Sequence, residues 1–356
     1  MKHIFTVHSP VTFLCAYSVC KTLNLAESDV IIISASYNPP FKFGEIVVPF
    51  HEKKKKLFDK VVDLNLPRAY DKYIDSLSGG SSFIAYIDLM HYWQRLLVTN
   101  AKCEKFNFLE EGMSSYLKPD TLLELTFAAK EKSFRNTSFK EYLISVYFAL
   151  RSYNHRLLNL PYWAYEYKFL NDVGYYCFSD LCYPGIDKKY KKVVPFIGKT
   201  NEGMTLKNKI VWIEDIYNKR HVSNEKNITT AIEKAINYIQ NKYGKTHGHL
   251  VKLRPNGTNS SSEVIPILEK KGLHYSCIDA KEPLELIMQR SSNLILVSAT
   301  SSLLFYGKVM GHQAYTYFRL LKERRHSAFE GMNFYWNFVD HIHEDNSQNL
   351  VDEKKD

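Results

Sequence analysis

Short apolar runs alternate with longer amphipathic stretches along most of this chain, and that alternation constrains the fold more than any other feature. A short, nearly continuous apolar run bounded by turn residues reads as a strand covered on both faces. A helix-length amphipathic stretch between two such runs reads as the crossover that makes them parallel. Residues 3–8 form the first run, followed by Ser9, Pro10 and a helical pattern over 11–23. Ser9 suits an N-cap and Pro10 a first helical turn. Further strands are predicted at 30–34, at 83–87 with a helix through 98, and at 106–109, which ends in Glu110-Glu111-Gly112. A helical region interrupted near Asn136 is predicted over about 121–156, and residues 175–179 could close the series.

The rhythm breaks over 194–208, which holds Pro195, Gly198 and Gly203, and then restarts. Strands are predicted at 210–213, 249–253, 275–278, 294–297 and 314–318, with helices at 227–243, at 262–271 and from 303. A chain of 356 residues exceeds what one hydrophobic core usually serves. The expectation is therefore an α/β protein of two Rossmann-like domains, residues 1–198 and 205–340, whose parallel sheets face each other across a cleft. The last helices are able to pack back on the first domain, and the charged tail 345–356 is expected to be disordered.

The net charge of +9 favours anionic partners. It has one concentrated run, Lys53-Lys54-Lys55-Lys56, readable either as a solvated helix start or as a patch resting on an anionic membrane face. No nucleic-acid-binding motif accompanies it, so nucleic acid is not an expected partner. The cysteines at 15, 20, 103, 177, 182 and 277 have neither CxxC nor zinc-like spacing and mostly lie in apolar runs. Reduced thiols and a cytoplasmic location follow as expectations. Residues 1–5 do not read as a leader, and no uninterrupted apolar stretch is long enough to span a bilayer.

Three clusters at strand ends carry chemistry. In Glu110-Glu111-Gly112 a strand delivers two carboxylates to a turn that glycine can bend. Like charges and partial burial raise a carboxyl pKa toward the range useful to a base. Which of Glu110 and Glu111 takes that role depends on the turn, and a pair of solvated acids is the plainer alternative. In Ser298-Ala299-Thr300-Ser301-Ser302 an apolar strand meets a helix start, where hydroxyls and N–H groups can hold a phosphate or simply cap the helix. In Lys252-Leu253-Arg254-Pro255 strand alternation places two cations on one side, able to neutralise a leaving phosphate. His8, His155, His247 and His249 are scattered and read as structural. There is no GxGxxG, Walker loop, GxSxG or DxD-type metal motif, so neither a metal nor a cofactor is expected.

In this order the pieces resemble the bacterial sialyltransferases and polysialyltransferases of the two-domain glycosyltransferase class called GT-B. Phe108-Leu109-Glu110-Glu111-Gly112, followed by Ser114, Ser115 and Tyr116, looks like their acidic-acidic-glycine motif. The segment 298–302, followed by Leu303-Leu304-Phe305-Tyr306-Gly307, looks like their Ser/Thr-rich motif. Val7-His8-Ser9-Pro10 and Tyr183-Pro184-Gly185 are similar to the opening and to the Tyr-Pro-Gly segment of the lipooligosaccharide sialyltransferases. At the family's His-Pro position this chain has Arg254-Pro255. Arginine does not donate a proton at neutral pH but can hold a phosphate charge.

The resemblance implies an inverting transfer of sialic acid from CMP-sialic acid to a glycan hydroxyl, on lipooligosaccharide or a capsule chain. Glu110 or Glu111 would be the base, and Arg254 would stabilise the departing phosphate. Ser298, Thr300, Ser301, Ser302, Lys252, Ser9 and Pro255 would bind donor or phosphate. Peripheral contact with the inner face of an anionic membrane is part of the same expectation. CMP-Kdo or another nonulosonate is the alternative donor, a UDP or GDP sugar a further one, and a non-enzymatic binder of nucleic acid or acidic glycan the alternative of another class.

Overall fold

The computed structural model describes residues 1–34, 38–50, 66–88, 92–98, 100–116, 173–198, 204–215, 225–244, 247–254, 262–321 and 337–343. The chain divides into two compact units, Met1–Gly198 and Lys199–Asp356. The Lys53-Lys54-Lys55-Lys56 run, the helical region expected at 121–156, Pro255 and the tail expected at 345–356 lie outside the described residues.

The first unit holds a sheet of β1 (Lys2–Val7), β2 (Val30–Ser34), β3 (Glu45–Val47), β4 (Phe83–Ile87), β5 (Cys103–Leu109), β6 (Gly174–Cys177) and β7 (Lys191–Val193). The order is β3-β2-β1-β4-β5-β6-β7, and every pairing is parallel. β2 is buried at each of its positions, as an apolar run inside a parallel sheet must be. Helix α1 (Pro10–Thr22) is buried from Val11 to Cys20 and packs against β1, β5 and β6. Its apolar residues run all round, the mark of a helix enclosed on every side. As expected, Ser9 caps it: Ser9 Oγ accepts from the Thr12 N–H at 3.2 Å, and Thr12 Oγ1 accepts from the Ser9 N–H at 3.0 Å. Helices α2 (Leu66–Ser78) and α3 (Tyr92–Val98) complete the described part of this unit.

Several elements here depart from the sequence reading. β5 begins at Cys103 rather than 106, because exposed Glu104 and Lys105 hide the start of the strand from an apolar count. β7 follows the strand expected to be last. It is a three-residue edge strand with two lysines, the pattern by which edges resist pairing with other chains, and it has no apolar run to reveal it. β3, the opposite edge, is equally short. α2 was not anticipated either, although Tyr70, Ile74 and Ser78 are buried at helical spacing.

The second unit holds β8 (Ile210–Ile213), β9 (His249–Lys252), β10 (Tyr275–Ile278), β11 (Ile295–Ser298), β12 (Gln313–Thr316) and β13 (Asp340–His341). Their order is β10-β9-β8-β11-β12-β13, again all parallel. The helices Glu225–Tyr243, Ile265–Lys270, Leu284–Arg290 and Ser302–Val309 belong to it. Trp212, fully buried on β8, donates Nε1–H to His249 Nδ1 on β9 at 3.1 Å, which gives His249 a structural role. Gly307 lets the helix Ser302–Val309 lie directly on β11, since a Cβ there would stand 2.0 Å from Leu296 Cδ1. The last expected strand stops at Thr316 and turns at Phe318–Leu320. The helix Leu284–Arg290 and strand β13 were not read from the sequence. All six cysteines are free, five of them buried. Among the described residues no helix is long and apolar enough to cross a membrane.

Candidate active site

In both sheets the strand order reverses direction at one place, between β1 and β4 in the first unit and between β8 and β11 in the second. Loops on either side of such a point diverge and leave a crevice at the carboxyl ends of the strands, where ligands of open α/β sheets bind.

At the first point, His8 directly follows β1, Asp88 directly follows β4, and Glu110 and Glu111 follow β5, the neighbour of β4. The two glutamates have different surroundings. Glu110 is fully buried. Its Oε1 accepts from the Tyr116 hydroxyl at 2.8 Å, its Oε2 accepts from the Phe178 N–H at 2.7 Å, and its own N–H donates to the Tyr176 carbonyl at 3.0 Å. A carboxyl held this way joins the end of β5 to the end of β6. Glu111 is half-buried, and its N–H donates to Ser115 Oγ at 3.0 Å. Gly112 follows with φ of 128°, a conformation open to glycine and strained for other residues. The Ser115 N–H returns to the Gly112 carbonyl at 3.1 Å, and the Tyr183 N–H donates to the Ser115 carbonyl at 2.7 Å. The acidic turn and the Tyr183-Pro184-Gly185 segment, distant in sequence, therefore pack on each other.

Burial pushes the Glu111 carboxyl up to about 8, the negative Asp88 beside it pushes the same way, and His8 opposes them. Adjacency in sequence points to Glu110 for this like-charge effect; the neighbour that exerts it is Asp88. That carboxyl is itself tightly held. Thr6 Oγ1 donates to Asp88 Oδ1 at 3.0 Å, and Gln94 Nε2 donates to the same oxygen and, at 2.7 Å, to Thr6 Oγ1. His8 Nδ1 bonds Asp88 Oδ2. The Asp88 side chain is 3% exposed and the His8 side chain 36%. Burial alone would lower the His8 pKa, but the bond to Asp88 and the charges of Asp88 and Glu111 outweigh it and raise it.

His8 and Asp88 are functional candidates that the sequence pattern does not mark. Among scattered histidines His8 looks solitary, yet its partner lies 80 positions away. The available signal was positional, since each directly follows a strand, one on either side of the order reversal.

At the second point, Glu214 and Asp215 follow β8, and the hydroxyl-rich segment follows β11. Most of this segment's donors already have partners within the fold. Ser298, fully buried, donates Oγ–H to the Ile213 carbonyl at 2.8 Å. Thr300 gives its N–H at 2.7 Å and its hydroxyl at 2.5 Å to Asp215 Oδ2. Ser301 caps the helix, its Oγ accepting from the Leu303 N–H at 3.3 Å. Ser302 opens that helix and is half-exposed. Glu214 accepts from the Ser262 hydroxyl and from the Val264 N–H at 3.2 Å, fixing the turn before the helix Ile265–Lys270.

Lys252 and Arg254 do not share one environment as strand alternation suggested, because β9 ends at Lys252. Lys252 is buried, and its Nζ donates to the Asp279 and Ala280 carbonyls at 2.7 and 2.9 Å. Arg254 is exposed. Ser9, in the first unit, has its hydroxyl engaged in the cap of α1.

No family model matches the chain, and no curated protein matches it. Among solved structures, a sialyltransferase from Photobacterium damsela is similar over 96% of this chain and 81% of its own, at 12% identity and a TM-score of 0.51. A putative UDP-N-acetylglucosamine 2-epimerase from Listeria monocytogenes is similar over 99% of this chain and 88% of its own, at 9% identity and a TM-score of 0.48. A UDP-GlcNAc 2-epimerase from Neisseria meningitidis covers 99% of each chain at 11% identity and a TM-score of 0.44. The first likeness shows the fold, an α/β architecture of two Rossmann-like domains of GT-B type; the other two are too distant to add to it.

Proposed function

We propose that this chain is an inverting glycosyltransferase that moves sialic acid from CMP-sialic acid to a hydroxyl of a glycan acceptor. The observation that carries the reading is Glu111: a half-buried carboxyl on a glycine turn, at the carboxyl end of β5, raised to about 8 by burial and by Asp88. A general base serves best when its pKa lies near the working pH, and an ordinary glutamate is far below it. Glu110 is the weaker choice, because both of its oxygens are already hydrogen-bonded inside the fold. The motif resemblance supplies the donor class, and the two-domain fold suits it.

In this mechanism Glu111 removes the acceptor proton as the oxygen attacks the anomeric carbon from the face opposite the nucleotide. The bond to the phosphate oxygen breaks, and CMP leaves with its charge. Arg254 steadies that charge electrostatically, and Ser302 with the first turn of its helix offers further donors. A glycan of the lipooligosaccharide or capsule kind is the acceptor class that fits the basic chain, and contact with an anionic membrane face fits the same charge.

The test is calorimetry with CMP, UDP and GDP, followed by a transfer assay with the matching sugar nucleotide. CMP binding with transfer that Glu111→Gln reduces by about a hundredfold or more supports the reading. Preference for UDP or GDP replaces the donor class, and full activity in Glu111→Gln removes the base.

A further inference from the structure

Asp88 Oδ1 accepts from Thr6 and Gln94, and Asp88 Oδ2 meets His8 Nδ1. A carboxylate only accepts, so opposite Asp88 the proton is assigned to His8 Nδ1. The other ring nitrogen, Nε2, is then the group through which His8 gains or loses charge, and among the described residues none is bonded to it. The pair sits astride the β1/β4 order reversal, and Glu111 is on the next strand end. Two carboxyls thus share one small region with a single imidazole, which is partly open to solvent.

We infer that His8 and Asp88 form a charge-setting pair for Glu111: His8, fixed by Asp88, supplies the counter-charge that lets the neighbouring carboxylate exist ready for the acceptor proton. This rests on the proposed base role of Glu111. Both groups are positioning residues, since neither need touch the sugar. The charges that bear on Glu111 are Asp88 and His8, and those on His8 are Asp88 and Glu111. Glu110, on the same turn, is held by Tyr116 and Phe178. The two members act in opposite senses. Asp88 opposes ionisation of Glu111 directly, while the protonated His8 that it orients favours it. The acceptor proton passes to the Glu111 oxygen as the new glycosidic bond forms, and Glu111 then gives it to water, so that the cycle closes with no other reactant.

The experiment measures the pH dependence of kcat and kcat/KM for CMP-sialic acid transfer in the full chain, with the His8→Gln and Asp88→Asn variants. Loss of the cation in His8→Gln should move the rising limb of the rate to higher pH. Asp88→Asn removes an anion beside Glu111 and, by lowering the His8 midpoint, weakens the cation as well, so its limb should move less far upward than that of His8→Gln. The His8→Gln shift should be about one unit or more, the scale of a charge a few Å away. An unmoved limb in His8→Gln, or an upward shift in Asp88→Asn as large as that in His8→Gln, would overturn the inference. NMR titration of the His8 ring gives a readout independent of any donor. Its midpoint should fall in Asp88→Asn and in Glu111→Gln, and a midpoint unchanged in both would overturn the pair even if transfer is seen. If wild type transfers no sugar while the His8 midpoint falls as expected, the proposed reaction fails and the charge coupling stands.

Discussion

The Tyr116 hydroxyl donates to Glu110 Oε1 at 2.8 Å, closing the loop that carries Glu111 onto the residue just before it. Two adjacent glutamates are thereby divided between two tasks: one holds the turn, and the other is presented by it.

Exchange of each glutamate should separate those tasks. Glu110→Ala leaves the Tyr116 hydroxyl and the Phe178 N–H buried without their acceptor and should lower stability by about 1–3 kcal/mol or more. Glu111→Gln should leave stability unchanged or raised near neutral pH. Urea unfolding midpoints measure both, and equal losses in the two variants would contradict the division.

Stability should also depend on pH through Glu111. Its folded pKa of about 8 lies above the ordinary 4.5, so the folded state holds the proton more tightly than the unfolded one. This contribution to stability is present below pH 4.5 and is lost as pH rises to about 8. Transfer should change in the reverse sense over the upper part of that window, because the base must be ionised. Unfolding free energies of wild type and Glu111→Gln across this range should converge at low pH and separate at high pH.

Thr300 and Ser302 should behave differently despite sharing one motif. Thr300→Val removes a hydroxyl that bonds Asp215 at 2.5 Å and should cost about 1–3 kcal/mol of stability. Ser302→Ala, at a half-exposed helix start, should change stability by no more than about 0.5 kcal/mol and instead weaken CMP binding. Thermal unfolding and calorimetry with CMP together decide this.

Gly307→Ala should destabilise the second unit by about 1–3 kcal/mol, since the added methyl would overlap Leu296 on β11. Leu296→Ala should cost less in the Gly307→Ala background than in wild type, because the added methyl fills part of the space that it vacates. A Gly307→Ala protein as stable as wild type would show that the helix can lift from the sheet without penalty.

The interior strands were legible because a strand buried on both faces must be apolar along its length, as with residues 30–34 and 210–213. The edges were not: β7 is two lysines and a valine, and its identity as a strand comes from its neighbour β6. The sequence also placed Glu110-Glu111-Gly112 and the 298–302 segment at strand ends. It could not divide roles within either cluster, because a side chain's role there depends on partners from other strands. Phe178 claims Glu110, Asp215 claims Thr300, and the Asp279 and Ala280 carbonyls claim Lys252.

By itself, the sequence determined the alternation of strands and helices, the two-part organisation and the glycine turn, since each follows from local pattern and backbone freedom. Only the tertiary structure brought His8 to Asp88 and both to Glu111, because parallel pairing aligns the ends of β1, β4 and β5 whatever their separation along the chain. Charge and burial act through space, and it is this proximity that raises one carboxyl toward neutrality while its neighbour serves the fold.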